Sequence, residues 1–412
     1  MASLEQPKSI EEKQEFQTPF CNVTLKEFTE AHPEKREAMR TVLKDIDAQA
    51  MDNFEIFNSE RFPGVSFSFS KLTVSSEIIE RLAAQKNTGT PPDQKDENAE
   101  IEEGKEEGVG AKRHDYFLFT AFAPPPDGHA LTVQDVAIDR YIRLIPRVAN
   151  ALKLGEKPPE VNVYLLGAPT GLGGSVTEEW IEEIKENGLE KYGEMYAEFV
   201  EQHEAEHAEP HVVLQGVSKG AIIAERTSKY LPEELQEKTQ RLLDNPAGHH
   251  EQTPVIRWLK GAQVALGLAG EGVARMVFDD SMKSLMKQGG ALTENLKKTK
   301  GIPDDEAVQT KLKQSAALAE GLALMKGSPL DTESTRSFIR RAIYDPLTIS
   351  PTWLHEVWKK SSEGKKAQFF KKGRSVESSF KGHHMLFYNR YHRWSTILDF
   401  AQNSQRVNTP ET

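Results

Sequence analysis

Between residues 115 and 244 the chain repeats one arrangement, and that repeat leaves few folds open. A short apolar run of β type is followed each time by a longer stretch with apolar residues at helical spacing. The runs are DYFLFTAFA (115–123), VNVYLLG (161–167), HVVLQG (211–216) and RLLD (241–244). After the first, Val136, Ile138, Tyr141, Ile142, Ile145, Val148 and Leu152 recur with a 3.6-residue period. After the second, a Glu-rich helix is expected over 177–207, ended by Pro210, and AIIAERTSKYL supplies a helix after the third. Strands alternating with helices of this length form βαβ units, so the pattern predicts an α/β fold, a mostly parallel sheet flanked by helices. Upstream, VSFSFSKLTV (65–74) alternates with period two and reads as a strand with one buried face. Its expected pairing partner is the run at 115–123.

One large core with additions accounts for 412 residues. Residues 1–86 read as an N-terminal extension that carries the strand at 65–74. Residues 87–113 hold eight acidic and four basic residues, Pro91 and Pro92, with only Ile101 and Val109 as larger apolar groups. Such a segment cannot bury a core and is expected to be a disordered acidic linker. The first part of the core spans 114–253. From 254 to 345 the text turns to helical segments rich in Ala, Leu, Met and Lys, broken at 289–290, 301–303 and 327–329, which predicts an inserted all-helical cap. The last part of the core, 346–412, returns to β-type text at AQFF (367–370) and VESSF (376–380) and ends in a helix near 391–402.

Charge and cysteine usage bound the partners. There are 52 basic and 63 acidic residues, a formal net charge of −11, which disfavours a surface built to coat nucleic-acid phosphates. The acidity is local: twelve acids and two bases fall in 175–209, whereas 359–393 holds ten bases and two acids and reads as a solvated basic face. Cys21 is the only cysteine, so no internal disulfide or cysteine-based metal site can form, which suits a reducing compartment. The start, MASLEQPKSIEEKQEF, lacks the apolar core of a signal peptide, and no run of about 18 uncharged apolar residues occurs. The expectation is a cytoplasmic protein with no membrane span, no nucleic-acid partner and no cofactor.

The sharpest chemical signal is Gly216-Val217-Ser218-Lys219-Gly220, a G-x-S-x-G pentapeptide lying between a strand and a helix. A serine on so tight a turn is forced into a strained backbone, and the flanking glycines let strand and helix pass closely. The helix N-terminus and the amide of Lys219 would then face an oxyanion forming beside Ser218. A structural Gly-Ser turn in any doubly wound fold is the alternative.

With these residues in view the chain resembles the α/β-hydrolase family, over 115–248 and 367–402. GAPTGLGGS (167–175) matches the family's text after its fourth strand, and LLDNPAG (242–248) looks like the strand after the elbow. In VESSFKGHH, Gly382 precedes His383, where the family places its catalytic histidine, so Ser comes before His as the family requires. The resemblance implies Ser218 as nucleophile, His383 as general base and a carboxylate that holds the imidazole. Three departures stand out. Where the family often has His-Gly this chain has TAFAPPPDGH, and prolines 124–126 have no N–H, leaving Phe122 or Ala123 as the second oxyanion donor. No aspartate lies between 367 and 383, where the family usually keeps its acid. Asp244 is the substitute, because some members place the acid there, with Glu377 and Asp345 as runners-up. Finally, His384 adjoins His383 and is the alternative base.

The reading is thus a serine hydrolase acting on an ester, thioester or amide, with a small hydrophobic acyl substrate under a helical lid. Trp258, Met276, Met282, Met286 and Met325 suit such a pocket wall, although helix packing explains most of them. A non-catalytic binding protein on the same fold is the second reading. A third is a zinc hydrolase using His203-Glu204-Ala205-Glu206-His207, but the two histidines continue the apolar stripe of Tyr196, Phe199 and Val200, and Pro210 ends the helix almost at once.

Overall fold

The computed structural model describes residues 22–86, 113–119, 134–204, 210–244, 246, 297–302, 304–326, 336–342, 375–379 and 390–404. Its centre is an eight-stranded sheet in the order β1-β2-β4-β3-β5-β6-β7-β8. The strands are β1 (Phe54–Asn58), β2 (Ser66–Thr73), β3 (Arg113–Phe119), β4 (Glu160–Leu166), β5 (Pro210–Val217), β6 (Thr239–Asp244), β7 (Arg336–Ala342) and β8 (Ser375–Ser379). From β4 through β8 every neighbour is parallel, while β1 and β2 join antiparallel at one edge. The α/β expectation therefore holds.

Helices cover both faces. On one lie α1 (Asn22–Ala31), α2 (Arg36–Asp52), α3 (Ser76–Lys86), α4 (Gln134–Lys153) and α10 (Arg390–Gln402). Their Met39, Ile46, Ile79, Ile142, Ile145 and Trp394 meet Leu118, Val163, Val213 and Val217 of the sheet. On the other lie α5 (Glu178–Asn187), α6 (Glu190–Glu204), α7 (Lys219–Tyr230) and α9 (Ala307–Lys326), and α8 (Glu233–Lys238) is a short turn before β6. There Trp180, Tyr192, Tyr196, Phe199, Ile222 and Ala319 close on Phe117, Phe119, Tyr164 and Leu214. A central parallel strand buried on both faces needs a continuous apolar run, and Tyr116–Phe119 is one.

Four readings of the sequence are corrected by these contacts. First, β2 pairs with β1 and β4, not with β3, because β3 has the continuous apolar text of an interior strand and takes the place between β4 and β5. Its serine face is also buried: Ser70 donates to the Ala50 carbonyl of α2 at 2.8 Å, so the period-two pattern marks satisfied hydroxyls instead of solvent. Second, residues 22–86 are an integral part of the sheet and core and not an appendage. Third, the single helix expected over 177–207 is two helices, parted at Gly188, whose φ of 67° ends α5. Fourth, the segment read as all-helical, 254–345, contains β7, which pairs with β6 and β8, and Arg113, placed in the linker, opens β3. The remainder of the linker, AQFF and most of the cap lie outside the described residues.

At the N-terminal edge of the parallel strands a buried polar cluster ties β3 to its neighbours. Asp115 accepts from Arg113 at 2.6 Å and from Asn162, its register partner on β4, at 2.7 Å. Glu204, at the end of α6, is buried against this aspartate. Desolvation first, and then the Asp115 charge, push its carboxyl up to about 8. An unfolded glutamate titrates near ~4.3, so between roughly pH 4.5 and 8 the folded chain binds the extra proton. Stability should therefore fall as pH rises through that window, by at most about 1.4 kcal/mol per pH unit from this group, and Glu204→Gln should flatten the fall. Denaturant midpoints measured from pH 5 to 8 check this; equal slopes for both proteins would contradict it.

Candidate active site

β5 ends at Val217 and α7 begins at Lys219, so Ser218 alone makes the turn. Its φ of 57° and ψ of −117° make it the one non-glycine residue with positive φ among the described residues. A conformation of this kind costs about 1–3 kcal/mol for a residue with a side chain and persists only where the surroundings over-determine it. Two contacts do so. A Cβ on Gly216 would stand 2.1 Å from the backbone carbonyl of Gly220, so strand and helix meet at a distance only glycine allows. The Ser218 N–H donates to the Asp244 carbonyl at 2.9 Å, tying the turn to the end of β6.

That bond brings two of the sequence candidates together. Asp244 closes β6, pairs in register with Val217 and is fully buried. One of its carboxylate oxygens, Oδ2, accepts from Gln215 Nε2 at 3.2 Å, and Gln215 Oε1 accepts from Arg140 Nε of α4 at 2.8 Å. Arg140 also lies over the Tyr116 ring, 5.2 Å from its centroid. Neither Arg140 nor Gln215 was singled out from the sequence. The available signal was a glutamine in the otherwise apolar run HVVLQG, since a buried amide requires partners.

Lys219 stands at the first position of α7, where an oxyanion donor was expected, and its side chain turns inward. The ammonium is 2.5 Å from Glu320 of α9, both groups being buried, and Tyr192 donates its hydroxyl to the same carboxylate. The burial and this neighbour raise the Tyr192 phenol well above its ordinary range. Two further residues of α9 hold the GAPTGLGGS loop and the residue after it: Lys313 donates to the Gly171 carbonyl at 3.1 Å, and Gln309 donates to the Val176 carbonyl at 2.9 Å.

Of the other candidates, Glu377 is in β8, in register with Arg340 of β7 and so two strands from Asp244. Phe122, Ala123, Asp345, His383 and His384 lie outside the described residues. His203 of the HEAEH segment packs on the Phe199 ring at 4.0 Å and edge-on against Phe69 and Tyr164, and desolvation lowers its pKa. His207 is outside the described residues, among which no group of three or more His, Cys, Asp or Glu is placed to hold a metal. No helix among them is long and apolar enough to cross a membrane.

A mostly parallel sheet with a strained serine between its central strand and the next helix is an α/β-hydrolase-like fold. No family model and no curated protein matches the chain. Solved structures similar to it include a hydrolase from Pseudomonas aeruginosa PA01 at 13% identity and TM-score 0.36, covering 84% of this chain and 98% of that one. An alpha/beta hydrolase enzyme from a Medee basin deep-sea metagenome library is 10% identical with TM-score 0.39, covering 87% and 100%. The thioesterase domain from the curacin biosynthetic pathway is 11% identical with TM-score 0.38, covering 84% and 99%. Likenesses this distant carry no functional weight, and the fold class rests on the chain's own strand order and elbow.

Two outcomes follow from this geometry. Glycine in place of alanine ordinarily destabilises, but Ser218→Gly should melt higher than Ser218→Ala, by about 1 kcal/mol in stability, because it releases the strain; the usual order in thermal unfolding would contradict a held turn. Glu320→Ala should cost about 3–5 kcal/mol by removing the carboxylate from the buried ion pair with Lys219, whereas the apolar pair Lys219→Met with Glu320→Met should recover most of the loss, both read as urea midpoints.

Proposed function

We propose that the chain is a serine hydrolase that cleaves an ester, thioester or amide through an acyl-enzyme on Ser218. The observation that carries this reading is the strained Ser218 backbone, bonded directly to the residue that bears a buried carboxylate, Asp244. Strain held at one residue, on a turn that presents its side chain at a helix N-terminus, is the arrangement a nucleophile needs.

In this mechanism His383 takes the hydroxyl proton as Ser218 Oγ bonds to the carbonyl carbon. The carbonyl oxygen becomes an oxyanion stabilised by the amides of Lys219 and Phe122. Collapse breaks the bond to the leaving group, which departs with the proton from His383, and a water molecule repeats the sequence to free the acid and restore Ser218. Asp244 fixes the imidazole tautomer and stabilises its cation. The chain length is compatible: His383 is four residues beyond Ser379, a reach of up to about 14 Å, and β8 stands two strand spacings, about 10 Å, from β6. The substrate class we favour is a hydrophobic acyl group, on the apolar and Met-rich composition of the segment before α9.

The departure at TAFAPPPDGH supports a second reading, a binding protein that has lost its second oxyanion donor. Reaction with a fluorophosphonate probe separates the two. Labelling of the wild type that disappears in Ser218→Ala is expected; an unlabelled, folded wild type would overturn the catalytic reading in favour of the binding one.

A further inference from the structure

A carboxylate is useful to a catalytic imidazole only when it is held. Asp244 is the last residue of β6, its backbone held between Val217 of β5 and Arg340 of β7, so what remains to be fixed is the direction of its side chain. The sheet face of Gln215 and Asp244 is covered by α4: Gln215 lies two residues before Val217, the register partner of Asp244, and shares a face with Val213 and Val217. We propose that Arg140 and Gln215 are positioning residues that aim the Asp244 carboxylate at the histidine; this rests on the serine-hydrolase reading above.

The chemistry of the three groups sets the direction of the chain of bonds. A guanidinium can only donate, so Arg140 Nε selects the oxygen of the Gln215 amide, at 2.8 Å. The amide is thereby turned with its NH2 toward Asp244, which it meets at Oδ2, at 3.2 Å. Without the arginine either orientation of the amide would be open, and one of them would set an oxygen against the carboxylate. Gln215 is 1% exposed and Asp244 fully buried, so water cannot stand in for the missing donor. A carboxylate offers about four lone-pair sites, and Gln215 takes one of them, at Oδ2. Arg140 is half-buried at the rim, its guanidinium steadied over Tyr116, and it transmits order from α4 to the end of β6. The pair touches no reacting atom and acts through Asp244 alone.

The test compares the rate of fluorophosphonate labelling of Ser218, and turnover of p-nitrophenyl acetate, in wild type, Asp244→Asn, Gln215→Met, Arg140→Met and Arg140→Lys. Gln215→Met should label at least about tenfold more slowly, in the same direction as Asp244→Asn, with kcat reduced and KM within about twofold. Arg140→Met, at a half-exposed position where the fold tolerates the change, should slow labelling about three- to tenfold with melting within about 3 °C of wild type, and Arg140→Lys should restore most of the rate. Combining Arg140→Met with Gln215→Met should add nothing to Gln215→Met alone, since the two act in series. If Asp244→Asn is slow while Arg140→Met labels at the wild-type rate, the positioning role is overturned and the hydrolase reading stands. If Asp244→Asn itself labels normally, Asp244 is not the acid and the inference falls with it. If wild-type Ser218 takes no label, it is the hydrolase reading that fails.

Discussion

The structure turns on one backbone hydrogen bond, from the Ser218 N–H to the Asp244 carbonyl. At the end of β5 the chain must reverse its handedness within a single residue, and the cost of the positive φ has to be met by neighbours that leave no alternative. The glycines at 216 and 220 allow strand and helix to close on each other, and the bond to β6 then fixes where the turn stands relative to the next strand. The interaction that holds the strain therefore also sets the distance between the candidate nucleophile and the candidate acid. Fold and site share a constraint, and neither can relax without the other.

Around this bond, buried charges specify how the layers meet. Asp115 and Asn162 are register partners across β3 and β4, and a slip of one residue would separate them and put their side chains on opposite faces. On the same face Glu225 is buried with Arg226 and Arg241 beside it, joining α7 to β6. Such groups add little net stability over apolar substitutes, because desolvation offsets most of their attraction. Their consequence is selective: each wrong arrangement strands a charge in the interior.

The α/β class, the strands β2 to β6, α4, α10 and the tight turn at Ser218 were legible because each rests on a local pattern, a period of two or 3.6 or a pair of glycines about a serine. What was misread depends on long-range competition. No local feature of VSFSFSKLTV says that β4 outbids β3 for its edge, since the decision lies in the doubly buried text of β3. Gly188 carries a break that glycine inside a helical pattern marks only weakly, and RSFIRRA (Arg336–Ala342) is too polar to announce a sheet strand. Asp244 could be named from chain order beside the elbow. Arg140 and Gln215 could not be joined to it, because their contacts exist only where α4, β5 and β6 converge, although a glutamine within an apolar strand run is a signal that a partner is owed to it.

The place of α9 bears on how a lid could work here. If the segment ahead of it caps the site, the simplest motion would swing the whole insertion as one block. Yet α9 buries Ala316, Ala319 and Ala323 in the core layer shared with α5, α6 and α7. It also supplies the carboxylate for Lys219, which adjoins Ser218, and the cation that holds the Gly171 carbonyl. Lifting it would take the Glu320 carboxylate away from the buried Lys219 ammonium, break the bond from Lys313 to the Gly171 carbonyl and expose the three alanines. A motion that unmakes the elbow's own support cannot serve to admit substrate to that elbow. α9 therefore belongs to the packed scaffold around Ser218 and not to a part that could move as a lid.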